Sequence, residues 1–166
     1  MARQLWLLRH AEAVPHGSAE DGARQLTERG EEQSRVAGIA IARMEAAFEA
    51  VLFSPKVRAR RTAEIASEAW SAQQRELLAV YPPLAGGFTA HQALRLLRAL
   101  SADARLLLVG HEPDLSRVAG ELTGGRVDVK KGGLVVMRLE GAGGELAVLL
   151  RPRELALIAG VPPGGE

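Results

Sequence analysis

The chain has 166 residues with a hydrophobic share of 47% and a charged share of 25%, enough to bury a true core and unlike a disordered or fibrous composition. Its 21 basic and 20 acidic side chains leave a formal net charge of +1, so nucleic acid is not expected as a partner and any positive site has to be local. Cysteine is absent, which excludes disulfides, thiolate metal sites and a cysteine nucleophile. No run approaches the roughly 20 apolar residues that span a bilayer, and Met1 to Leu8 is too short for the apolar region of a secretion signal. A soluble cytoplasmic protein is the expectation, in one domain over residues 1–161 with a frayed tail at 162–166.

The apolar run Leu5-Trp6-Leu7-Leu8 predicts a buried strand over residues 4–8, ending at Arg9-His10. A polar loop over 12–25, containing Pro15, Gly17 and Gly22, follows the histidine directly and forms one wall of any site there. Thr27 then caps a long helix whose apolar face carries Ala37, Ile41, Met44 and Phe48. A second strand over 50–53 stops at Ser54-Pro55, read as N-cap and first helical residue of a helix running through Val57, Ala63, Ile65, Ala66 and Trp70. A weaker strand over 77–81 ends at Pro82-Pro83, residues 84–88 form a loop, and Thr89 caps a leucine-rich helix over 90–100. The next strand, 105–109, delivers Gly110-His111, and a short helix covers 114–122. Two final strands, 133–139 and 145–150, are joined by Gly141-Ala142-Gly143-Gly144 as a hairpin turn, and residues 152–160 give a last helical turn. Strands alternating with helices imply an α/β fold of three layers: a mostly parallel central sheet, helices on both faces and an antiparallel hairpin at the end.

In such sheets ligands bind outside the carboxyl ends of the strands. Three strand exits bring candidates to one edge: Arg9 and His10, Arg58 in the opening turn after the second strand, and His111. Arginine presents a permanently charged fork that fits phosphoryl oxygens, and a neutral imidazole nitrogen attacks phosphorus directly. His10 is the better nucleophile, and His111 the better donor to the equatorial oxygens.

The stretches Leu8-Arg9-His10-Ala11, Leu26-Thr27-Glu28-Arg29-Gly30, Ser54-Pro55-Lys56-Val57-Arg58-Ala59 with Thr62-Ala63-Glu64, and Val109-Gly110-His111-Glu112-Pro113-Asp114-Leu115 resemble the histidine phosphatase superfamily. Within it they are most similar to the short SixA-type phosphohistidine phosphatases, over about residues 5–122. The resemblance implies a phosphoglycerate-mutase-like fold, a covalent phosphohistidine at His10, and a phosphate pocket of Arg9, Arg58 and His111, with no metal and no cofactor. Arg24 matches a position of the SixA group that lines the pocket. Two departures are Ala11, where the wider superfamily has glycine, and Gln25, where proline is usual. Glu112 either donates the leaving-group proton or orients the loop before Pro113.

Two substrate classes stay open, a phosphohistidine on a protein or a small phosphate ester that needs Glu112 as acid. The first is favoured, because a phosphoramidate leaving group needs less help than an alkoxide and the chain has little room for the segments that roof the site in mutase-like relatives. A third reading is a binding module that keeps the fold without turnover. His16 and His91 lack a comparable setting and read as surface residues, and His111-Glu112 has no second histidine at helix spacing, so it is not a zinc-protease motif. Lys130-Lys131 reads as a solvated turn, and Trp6 and Trp70 as core.

Overall fold

The computed structural model describes residues 2–162. One six-stranded sheet, in the order β3-β2-β4-β1-β5-β6, holds β1 (Arg3–Arg9), β2 (Ala50–Phe53), β3 (Leu78–Val80), β4 (Arg105–Gly110), β5 (Leu134–Glu140) and β6 (Gly143–Leu150). The first four run parallel, while β5 pairs antiparallel with β1 and β6 antiparallel with β5. The sheet is therefore mostly parallel with an antiparallel extension, the expected α/β class, and it is the phosphoglycerate-mutase-like fold.

Strand periodicity divides the core between the two faces. Leu5 and Leu7 of β1, with Leu106 and Leu108 of β4, pack on α4 (Ala90–Arg98) and α5 (Asp114–Thr123). Trp6, Leu8, Leu107 and Val109 point the other way, onto α1 (Glu28–Arg43), α2 (Val57–Ser67) and α6 (Pro152–Ala159). Burial on both faces explains why β1 and β4 read as unbroken apolar runs. The same arrangement creates the site. β1 and β4 are neighbours, yet the helix after β1 lies on one face and the helix after β4 on the other, so a crevice opens where the two chains part.

Local signals set most boundaries. Thr27 accepts from the Gly30 amide, and Thr89 with Gln92 forms a complete capping box. Four expectations are corrected. The α1 helix stops at Arg43, because Glu45 turns left-handed at φ 56°; Phe48 lies beyond it, edge-on to Trp6 and tilted against Trp70. Ser54 is not a helix cap: α2 starts at Val57 with Lys56 before it, and ends at Ser67, so Trp70 sits in the turn before a short helix, α3 (Ala72–Arg75), that the hydrophobic pattern is too brief to reveal. The hairpin turn is tighter than four residues, since Gly143 and Gly144 already pair within β6 and only Gly141, at φ 64°, and Ala142 turn the chain. The last helical turn is an eight-residue helix, packed on α1. Of the tail read as frayed, Pro162 is exposed, and 163–166 lie outside the described residues.

Candidate active site

The register of the parallel strands places Arg9 beside Gly110, so the next residues, His10 and His111, leave the sheet together. The His10 amide donates to the Gly110 carbonyl at 3.0 Å, and the two imidazole centroids are 5.1 Å apart, tilted by 52°. On the other side of β4 the Ser54 amide donates to the Val109 carbonyl at 3.0 Å, which carries the chain from β2 to the same level and sets Arg58 in the first turn of α2. His10, Arg58 and His111 are all buried.

Each histidine has a defined neighbour. His10 Nδ1 lies 2.7 Å from the Ala11 carbonyl oxygen. A carbonyl can only accept, so Nδ1 carries the hydrogen and Nε2 keeps its lone pair. Arg58 Nε faces that nitrogen at 3.4 Å. His111 Nε2 lies 2.7 Å from Ser54 Oγ, and Oγ accepts from the Lys56 amide at 3.2 Å; with the Ser54 hydroxyl donating to Nε2, the hydrogen of the neutral ring sits on Nδ1. Burial pushes His10 down to about 4, aided by the charges of Arg58, Arg9 and Arg24 against the opposing Ala11 bond. His111 is pushed down to about 3, again first by burial and then by His10, Arg58 and Lys56. Both rings are therefore neutral at pH 7. Arg9 donates through Nη1 to the Val129 carbonyl at 3.0 Å, and its buried Nε, like the buried Nδ1 of His111, has no hydrogen-bond partner within the protein. Buried polar atoms without a partner are costly, and both of these are open to a bound water or oxyanion.

The loop after His10 is the wall expected of it. The Thr27 amide donates to the Glu12 carbonyl at 3.1 Å, and a Cβ on Gly30 would collide with that carbonyl, which explains the glycine after Leu26-Thr27-Glu28-Arg29. Thr62 latches this loop to α2, accepting from the Ala11 amide at 3.1 Å and donating to the Arg58 carbonyl at 2.7 Å. Arg24 is buried beside Arg58, its charge lowering that guanidinium, and donates to the Val14 carbonyl at 2.9 Å.

Glu112 is close enough to Arg9 for its charge to be felt there, but its Oε1 accepts the Ser116 amide at 2.9 Å and closes the start of α5. Four participants escaped the sequence reading: Asp21, Ser54 as a partner of His111, Lys56 and Thr62. Asp21 accepts from Lys56 at 2.9 Å and pairs with Arg24 and Arg58 at 3.1 and 3.4 Å. The one available signal was its place three residues before Arg24 in a loop that follows His10. Among the described residues, no cluster of three or more His, Asp or Glu is arranged to hold a metal ion, and no helix is long and apolar enough to cross a membrane.

Neutral imidazoles facing arginine forks at a strand exit are groups that can hold a tetrahedral oxyanion and attack its central atom. The model of the histidine phosphatase superfamily, branch 1, matches residues 5–79, the segment that carries His10 and Arg58. The chain belongs to this superfamily. An uncharacterized protein of Picosynechococcus sp. is 34% identical over 140 residues, covering 81% of this chain and 84% of that one. The structure of the protein histidine phosphatase SixA complexed with tungstate aligns with a TM-score of 0.80 at 24% identity, over 92% of this chain and 99% of that one. The alpha-ribazole phosphatase of Shigella flexneri aligns at 0.65 and 20% identity, over 98% and 99%. These structures share the fold, and their named substrates differ, so membership supports a phosphatase and leaves its substrate to the site.

Proposed function

We propose that this member of the superfamily is a phosphohistidine phosphatase that needs no metal. The observation that carries the reading is the Nε2 lone pair of His10, left without a proton by the Nδ1 bond to Ala11 and held only by a long bond from Arg58 Nε at 3.4 Å. In the first step Nε2 attacks phosphorus, a new N–P bond forms, and the substrate P–N bond breaks. When the other nitrogen of the substrate ring carries a proton, the departing imidazole leaves neutral and takes nothing from the enzyme. The new phosphohistidine keeps its Nδ1 hydrogen on the Ala11 carbonyl. Water then attacks phosphorus, the Nε2–P bond breaks, the proton of water passes to phosphate and solvent, and His10 is restored. Arg9, Arg58 and His111 hold the equatorial oxygens while charge spreads in the loose transition state.

The choice of a phosphoramidate follows from the acids. Asp21 is held ionised, well below the usual carboxylate range, chiefly by its bond from Lys56 with the Arg58 charge beside it. Glu112 spends one oxygen on the Ser116 amide. An alkoxide leaving group needs a proton donor, and neither carboxyl is presented as one. A protein-sized substrate is supported by an open groove of about 1310 Å³ that shares Arg9 with the site, though not His10, Arg58 or His111, and is lined by Arg29, Lys130, Lys131 and Arg153 together with Glu12 and Glu32. Lys130-Lys131, an exposed stretch leading into a turn as its sequence reads, also stands on the wall of this groove.

The test is turnover of a phosphohistidine peptide, p-nitrophenyl phosphate and a sugar phosphate, each with EDTA and with His10→Ala. Preference for the peptide, insensitive to EDTA and lost with His10, is the expected result. Equal or better turnover of esters, abolished in Glu112→Gln, would replace this reading with the small-ester one. No turnover of any substrate would leave a binding module.

A further inference from the structure

The geometry points to Asp21 as the positioning residue of the phosphoryl pocket, a single carboxylate that fixes the Arg58 fork against His10 and lets two buried guanidiniums share the site. The inference rests on reading His10, Arg58 and His111 as that pocket. Arg24 is 6% exposed and Arg58 4%, and the Arg24 charge acts against that of Arg58. Two cations withdrawn from water and set side by side repel strongly, so without an anion between them one must move out or reorient.

Asp21 supplies that anion from a short helical turn, Asp21–Ala23, in the loop after β1. Its Oδ1 accepts from Arg24 at 3.2 Å through Nε, and Arg24 Nη2 lies 3.1 Å from the same oxygen. Oδ2 accepts from Lys56 Nζ at 2.9 Å and from Arg58 Nη2 at 3.4 Å. The Asp21 backbone carbonyl adds the shortest contact, accepting from Arg58 Nη1 at 2.7 Å. Asp21 therefore grips both terminal nitrogens of Arg58. The remaining nitrogen, Nε, is the one that faces His10 Nε2.

A rival account makes the carboxylate a competitor that occupies the place of the phosphoryl group. The two accounts predict opposite signs. A competitor weakens oxyanion binding, and its neutralisation tightens it. A positioning anion strengthens oxyanion binding through Arg58, and its neutralisation loosens it. Asp21 and His10 engage Arg58 through different nitrogens, which favours positioning.

The experiment measures inorganic vanadate binding by calorimetry, and kcat/KM on phosphohistidine peptide, for wild type, Asp21→Asn, Asp21→Glu, Arg58→Ala and Asp21→Asn/Arg58→Ala. Thermal unfolding of each variant checks that it is folded at the assay temperature. Vanadate affinity and kcat/KM are expected to fall about tenfold in Asp21→Asn, to recover to within about threefold in Asp21→Glu, and to show almost no further loss on adding Asp21→Asn to Arg58→Ala. That non-additivity is what a mere loop tie would not produce. Unchanged vanadate affinity in Asp21→Asn overturns the inference, as does tighter binding, or an equal loss in the Arg58→Ala background. In those cases wild-type turnover leaves the phosphatase reading standing. A wild type that neither binds vanadate nor turns over overturns both.

Discussion

The edge where β1, β2 and β4 end and the antiparallel strand β5 both exclude water, yet they bury opposite chemistries. The edge encloses His10, Arg24, Ser54, Arg58 and His111, whereas β5 encloses Leu134, Val135, Val136, Met137 and Leu139. Apolar burial on β5 favours the fold directly. Burial at the edge works against it, because imidazole and guanidinium lose hydration and gain only partial replacement. The strain on protonation of both histidines is the visible sign of that opposition. The edge is thus arranged for chemistry, and the rest of the sheet, β5 included, has to supply the stability that holds it.

Four measurements bear on this division, and the largest effect is expected at the edge. His10→Ala should lower kcat by at least about a thousandfold while leaving the thermal midpoint equal or higher, since a buried polar ring is removed. Single-turnover assays with calorimetry check it, and a variant that keeps activity would end the distinction at its root. Met137→Ala should do the reverse. It deletes a fully buried side chain of β5 and should cost about 2–5 kcal/mol of stability, with kcat per folded molecule unchanged, as read by denaturant titration and assay at low temperature.

A third measurement uses pH. Both histidines titrate below their ordinary 6.5 when folded, so protons bind the unfolded chain first. Their contribution to stability is present above pH 6.5 and is lost as pH falls through about 4 and 3. Urea unfolding at steps from pH 7 to 4 should therefore show a shallower acid decline in His111→Asn than in wild type. Equal slopes would mean that the rings are solvated after all. The smallest effect is expected for Glu112→Gln, whose amide oxygen can still accept from Ser116: phosphohistidine turnover should stay within about threefold. A hundredfold loss would give Glu112 the proton-donor role instead.

The parallel strands were legible because β1 and β4 are buried on both faces and so read as continuous apolar runs. Thr27 and Thr89 were legible as caps because a cap bond spans only three residues. Phe48 and Trp70 misled for the converse reason: their apolar spacing continued two helices, while what fixes them is packing against each other and, for Phe48, against Trp6 across the layer. Ser54 before proline satisfied a local helix-start rule, but its hydroxyl was claimed by His111, just past the end of β4 and 57 residues away. That His10, Arg58 and His111 come together was legible from strand exits. Asp21 was not, since nothing in an acidic loop residue says which cations will fold onto it.

Residue order alone determined where strands and helices alternate, which side chains stand at the strand exits, and that no thiol takes part, because these depend on local periodicity, capping and composition. Only the tertiary structure decided which nitrogen of His10 bears the lone pair, that Ser54 serves His111, and that Asp21 bridges Arg24, Lys56 and Arg58. Those outcomes turn on hydrogen bonds and charges between residues distant in the chain, whose strength is set by burial.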